Sequence, residues 1–256
     1  MKKIAILNII CIFFVVGSSM AQGEINNQDK IFYRDESSVA VMFANNGVGI
    51  GYIYGKRIDF FNKKLYEINV YNIRHKKEVK VTNQYYGSGK SFVFGKENLP
   101  INFNIGIGKQ KKLFKKRDVG SVAIEYFYTY GGSVVLLKPI YYDVLVPIGP
   151  NSIEVKEEKF SSSVHSAIDI YGKSSFLKGI SETQFVPGAY MKFGMSFEFS
   201  QKEKFVHALD AGICLSAYIK EIEIMSNIDN PQLFFNIFIS YRFGKAIDSK
   251  KRIMKR

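Results

Sequence analysis

Tryptophan is absent from this chain, histidine occurs three times and cysteine twice. Cys11 lies within an apolar run at the N-terminus, which leaves Cys214 alone in the rest of the chain and excludes an internal disulfide there. Three scattered histidines and one cysteine offer no metal-ligand spacing. Glu154, Glu157 and Glu158 are interrupted by lysines and lack the alternating acids of a calcium loop. The Gly-x-Gly runs sit inside strand-like segments and not before a helix, so the context excludes a dinucleotide site. No cofactor is expected. Beyond Ala21 no stretch approaches about eighteen apolar residues without charge, so a further helical membrane span is excluded as well.

What is present begins with a secretory signal. Lys2 and Lys3 precede the apolar run Ile4 to Val16, and Ser19-Met20-Ala21 supplies the small residues of a cleavage site before Gln22. The run is shorter than the roughly twenty residues of a membrane anchor, so cleavage is the expectation. The formal net charge of +13 raises nucleic acid as a partner. However, the basic residues fall at short turns and near the C-terminus, and export removes the chain from DNA. No nucleic acid is expected.

An exported chain without another helical span is either soluble or a closed barrel. Phe (22) and Tyr (16) are abundant, which favours strands over helices. Period-two alternation is clean in several runs. Ile101, Phe103, Ile105 and Ile107 alternate with Asn102, Asn104, Gly106 and Gly108. Val48, Ile50, Tyr52 and Tyr54 alternate with glycines, and Met191 to Phe199 and Leu233 to Tyr241 repeat the pattern. These runs reach about ten residues, the length of a tilted membrane strand and longer than soluble strands of about five or six. Their polar face carries Gly, Ser, Asn and single charges, which suits the crowded inside of a narrow barrel.

The expected fold is all-β: a transmembrane antiparallel up-and-down barrel of about eight strands, with ten possible. Strands are expected near 38–44, 47–58, 64–75, 101–111, 119–130, 188–199, 204–218 and 232–243. Short turns then alternate with the longer connections 76–100, 131–187 and 219–231, and both termini fall on the short-turn side. That asymmetry is the one expected of periplasmic turns and extracellular loops. Tyr52, Tyr54, Tyr126, Tyr128, Tyr130, Tyr241 and Phe243 fall toward strand ends on the outward face, where aromatic girdles belong. The expected organisation is a signal peptide over 1–21, a periplasmic segment over 22–37, the barrel over 38–244 and a basic periplasmic tail over 245–256.

The signal ending at Ala21-Gln22, the run Gly49-Ile50-Gly51-Tyr52-Ile53-Tyr54-Gly55 and the closing Tyr241-Arg242-Phe243 resemble small outer-membrane β-barrel proteins of the Bacteroidota. The resemblance spans about Val39 to Gly244 and implies location in the cell outer membrane, with outer-membrane lipid as the first partner. Such barrels end at their last aromatic residue, whereas here a basic stretch follows.

By phase, Glu67, Glu125, Lys192, Glu198, Asp210 and Arg242 point inward, where mutually paired charges would be needed. A structural network is the expected role, and a proton or ion path is the sharper alternative. His165, Ser166 and Asp169 can be drawn as a catalytic set, but they are neighbours in a serine-rich loop that no strand holds. No catalytic residue is assigned. The segment 131–187 is too apolar for a solvated loop; it could extend strands, cover the barrel mouth or dock a partner. Tyr85, Tyr86, Phe92, Leu136, Leu137 and Tyr141 are the candidate partner-facing loop residues. The basic turn Lys109 to Arg117 offers a second contact, for acidic headgroups or an acidic periplasmic protein. The leading functional expectation is a non-enzymatic barrel that supports or joins a membrane complex. A lipid-A-modifying barrel enzyme, or a narrow channel given ten or more strands, are the alternatives.

Overall fold

A computed structural model describes residues 34–83, 90–116, 121–149, 152–162, 164–200 and 204–248. The expected signal peptide, residues 22–33, Tyr85, Tyr86 and residues 249–256 lie outside the described residues. In chain order the strands are β1 (Arg34–Ala44), β2 (Gly47–Arg57), β3 (Asn62–Asn72), β4 (Lys80–Val81), β5 (Phe92–Val93), β6 (Asn98–Phe114), β7 (Ala123–Pro139), β8 (Tyr141–Gly149), β9 (Ser152–Lys159), β10 (Ile170–Lys173), β11 (Gln184–Glu198), β12 (Phe205–Tyr218) and β13 (Leu233–Asp248).

Eight of these close into a barrel in the order β1-β13-β12-β11-β7-β6-β3-β2, with β1 and β13 sealing the ring. Every pairing in it is antiparallel. The alternation read from the sequence sorts side chains to the two faces. Ile50, Ile105, Met191 and Ile237 point outward and are 61%, 65%, 57% and 58% exposed. Ala40, Glu67, Asn104, Glu125 and Ser240 point inward and are buried. Exposed apolar side chains recur on the outer face of every barrel strand, Val39 and Phe43 on β1 through Phe235 and Ile239 on β13, whereas a soluble monomer limits such surface to isolated patches. With all strand edges paired, this is the architecture of a transmembrane barrel.

The barrel strands are longer than the sequence pattern suggests. β1 begins at Arg34 and β13 reaches Asp248, four residues beyond each end of the expected 38–244. β7 continues to Pro139 and β11 starts at Gln184, so much of the expected 131–187 connection is strand. The remainder forms a separate three-stranded sheet, β10-β8-β9, on the long-loop side. Its core of Ile140, Tyr142, Val144, Phe160 and Ile170 also takes in Phe92 from β5.

The mouth on this side is closed by the connection between β12 and β13. Ile222 and Ile224 are fully buried there and pack with Ile73, Val135, Leu137, Val186 and Phe234. Asn230 holds the segment in shape: its Oδ1 accepts from the backbone N–H of Ile224 (2.9 Å) and Met225 (3.2 Å). Glu97 and Asn98 donate their N–H groups to the carbonyl of Ile224 at 3.0 and 3.3 Å.

Candidate functional site

The lumen is filled in layers. Near the short-turn end, Lys63 Nζ lies 2.7 Å from Glu36 Oε1 and 3.3 Å from Glu125 Oε2. Arg57 reaches Glu36 at 3.2 Å, Lys112 reaches Glu125 at 3.5 Å, and Gln110 donates to Glu125. Beside them, Arg242 Nε is 3.3 Å from Asp210 Oδ2, and its Nη2 donates to Ser196 Oγ at 2.8 Å. Glu198 accepts from Lys116 at 2.9 Å at the rim.

One layer further in, Lys192 Nζ donates to Glu67 Oε2 at 2.6 Å. The other carboxylate oxygen, Oε1, accepts from Thr129 and Tyr190 hydroxyls, both at 2.7 Å. The ammonium also lies 5.6 and 5.5 Å from the ring centroids of Phe127 and Phe238. Gly106 makes this layer possible, because a Cβ there would strike the Tyr190 hydroxyl and the Tyr130 carbonyl. Gly49 gives the same clearance to Tyr71. Above, Ser133 donates to Asn102 Oδ1 (2.8 Å), which leaves its Oγ to accept from the Tyr218 hydroxyl (3.2 Å), and Asn102 donates to Asn104 (2.9 Å). The apolar mouth plug caps the column.

Of the six charges assigned to the lumen by phase, Glu67 and Lys192 form one pair, and Asp210 and Arg242 another. Glu125 and Glu198 instead pair with Lys63, Lys112 and Lys116. Glu36 and Lys63 were not among the expected residues although they anchor the densest part of the network. Both lie just outside the expected strand ends, where outward neighbours such as Asp35 and Lys64 are themselves polar and the alternation fades. The inward phase of Leu65 and Glu67, carried back two residues, is the signal that reaches Lys63.

Two of the expected loop-surface residues are interior. Leu137 is 1% exposed because its phase on β7 turns it into the mouth against the plug, and Phe92 is 3% exposed because its ring packs edge-on against Tyr142 at 6.0 Å. Leu136 and Tyr141 are half-buried, and Tyr141 donates its hydroxyl to Glu182 at 2.5 Å.

Catalytic groups are not assembled from His165, Ser166 and Asp169. His165 Nδ1 accepts the Ser161 N–H at 3.1 Å and its Nε2 faces Glu158 at 3.2 Å, so both ring nitrogens are engaged within the loop. Asp169 caps the Ser166 N–H at 3.0 Å. Among the described residues no group of three or more His, Cys, Asp or Glu is arranged to hold a metal ion. Outside the membrane, Glu157 receives hydrogen bonds from Lys178 and Ser174, which hold its carboxyl below the ordinary range. Burial pushes the Tyr142 hydroxyl well above its ordinary value, so it stays protonated, and its one hydrogen is shared between the Val93 and Lys96 carbonyls, each 2.9 Å away.

No protein-family model matches the chain, and no curated protein matches it. Among solved structures, the crystal structure of Neisserial surface protein A (NspA) matches with 12% identity over 82% of this chain and 94% of that chain, at a TM-score of 0.37.

Proposed function

We propose that this chain is an integral protein of the cell outer membrane that performs no catalysis and acts as a structural or partner-binding subunit through its long-loop side. One observation carries the reading: a closed ring whose outside is apolar and whose inside is filled and capped. Such a body gains its stability in lipid. Its ordered material beyond the membrane is the β8–β10 sheet with β4 and β5, which is where a partner would meet it. The expected signal cleavage at Ala21-Gln22 supports the route to that membrane.

The enzyme alternative lacks support from His165, whose ring nitrogens are committed to the Ser161 N–H and to Glu158 on β9. The channel alternative is opposed by the eight-strand count and by the plugged mouth. Two measurements test the proposal. After reconstitution, the unheated protein is expected to migrate differently from the heated protein on a denaturing gel, as intact barrels do. Lipid extracted from a deletion strain is expected to show unchanged acylation and phosphorylation by mass spectrometry. Altered lipid would overturn the non-catalytic reading, and loss of the protein from the membrane fraction would overturn the location.

A further inference from the structure

The basic runs near the short-turn end divide by strand phase into two populations with different surroundings. Inward, Lys63 and Lys112 meet Glu36 and Glu125. Outward, Lys56, Lys64, Lys109 and Lys111 have no carboxylate in ion-pair contact among the described residues. They are not scattered. Lys56 stands opposite Lys64 across β2 and β3, and Lys64 stands opposite Lys109 across β3 and β6. Directly opposed residues bring their Cβ atoms to about 5 Å, and like charges so placed are destabilising. Asp35 on β1 is an acid of the same face, and its two oxygens accept from the Tyr54 hydroxyl at 2.7 Å and the Arg57 N–H at 3.1 Å. Three lysines in a row beside one carboxylate so engaged, next to neutralised neighbours in the same segments, call for anions from outside the chain.

The rows above say what kind of anion. One step toward the middle of the barrel, the same face carries Tyr54, Tyr66 and Ile107 in register, and the next step carries Tyr52, Ile68 and Ile105. Cation, then aromatic, then aliphatic is the order of phosphate, interface and acyl chain along a lipid. Lys64 already lies along this axis, its ammonium 5.3 Å from the Tyr66 ring centroid. A soluble acidic protein would match the first row and not the apolar rows continuous with it.

We propose that Lys56, Lys64, Lys109 and Lys111 on the outer face of β2, β3 and β6 bind the phosphates of anionic phospholipids in the leaflet on the short-turn side. This rests on the membrane-barrel reading. Native mass spectrometry of the full chain, released from micelles doped with phosphatidylglycerol or phosphatidylcholine, tests it. The wild type is expected to retain phosphatidylglycerol preferentially, less so as salt is raised. The K64Q/K109Q variant is expected to lose roughly fivefold in retention per lysine, roughly 25-fold together. K64R/K109R and the long-loop control K178Q are expected to retain it as the wild type does. Equal retention of the two lipids by the wild type, or full retention by K64Q/K109Q, would overturn the proposal. Insertion into pure phosphatidylcholine vesicles is scored in parallel. Insertion without lipid preference removes the lipid site and leaves the barrel standing, whereas failure to insert removes both.

Discussion

At the residue scale, the Glu67 layer shows how one buried charge is held by three different side chains. Glu67 accepts from Lys192, Thr129 and Tyr190, and Tyr190 fits only because position 106 is glycine. Replacing Lys192 by methionine removes the countercharge and strands a carboxylate, an error of about 3–5 kcal/mol in buried pairs. We expect K192M to lower the denaturant midpoint of the reconstituted barrel sharply and E67Q/K192M to recover most of the loss, measured by tyrosine fluorescence and gel shift. G106A is expected to destabilise as well, because the added Cβ displaces the Tyr190 hydroxyl from Glu67. If G106A behaved as the wild type in the same unfolding measurement, the close contact between Gly106 and Tyr190 would not exist. The polar character of these positions was legible from phase alone. Their partners were not: Glu67 and Lys192 are 125 residues apart, and only the closed ring brings their strands face to face across the lumen.

At the element scale, the strands were legible where one face met lipid and blurred where it did not. Ile101 to Gly108 alternates because its odd residues face the apolar surroundings and its even ones the lumen. Arg34 to Ser37 and Lys245 to Asp248 belong to β1 and β13, but near the rim polar residues occupy both faces, buried Glu36 inward and Asp35 outward, so period-two contrast disappears while the backbone pairing continues. The mouth plug was illegible for the opposite reason. Ile222 and Ile224 sit in a short stretch flanked by Glu221 and Glu223, and nothing local distinguishes a plug from a solvated loop. Deleting residues 221–229 is expected to leave discrete conductance absent in planar bilayers, since the Tyr71, Glu67 and Glu36 layers still fill the column beneath. Steady openings in that variant would show the plug to be the sole barrier. The β8–β10 sheet carries its own pH dependence. The carboxyl of Glu157 is held below its unfolded value by Lys178 and Ser174, so its contribution is present above the ordinary carboxylate range and is lost as pH falls through the folded value. Proteolysis of the long-loop side is expected to quicken at acid pH, and E157Q to remove part of that acid response.

At the scale of the whole molecule, the outer band and the filled interior make opposite demands on solvent. The band requires lipid or detergent, whereas the charges of the lumen pair with one another across the ring. Edman sequencing of the protein recovered from membranes is expected to begin at Gln22; a start at Met1 would remove the exported-barrel route.

The seam between β1 and β13 has a consequence in time. The first and last barrel strands pair over eleven consecutive positions, from Arg34 with Asp248 to Ala44 with Phe238. The earliest portion to be synthesised must therefore wait for the latest before its hydrogen-bonding edge is satisfied. Until then the nascent sheet has two open edges and a greasy flank, a state that invites aggregation. Assembly must follow completion of the polypeptide, and a product truncated before Leu233 is expected to need continuous chaperoning and to be degraded rather than inserted.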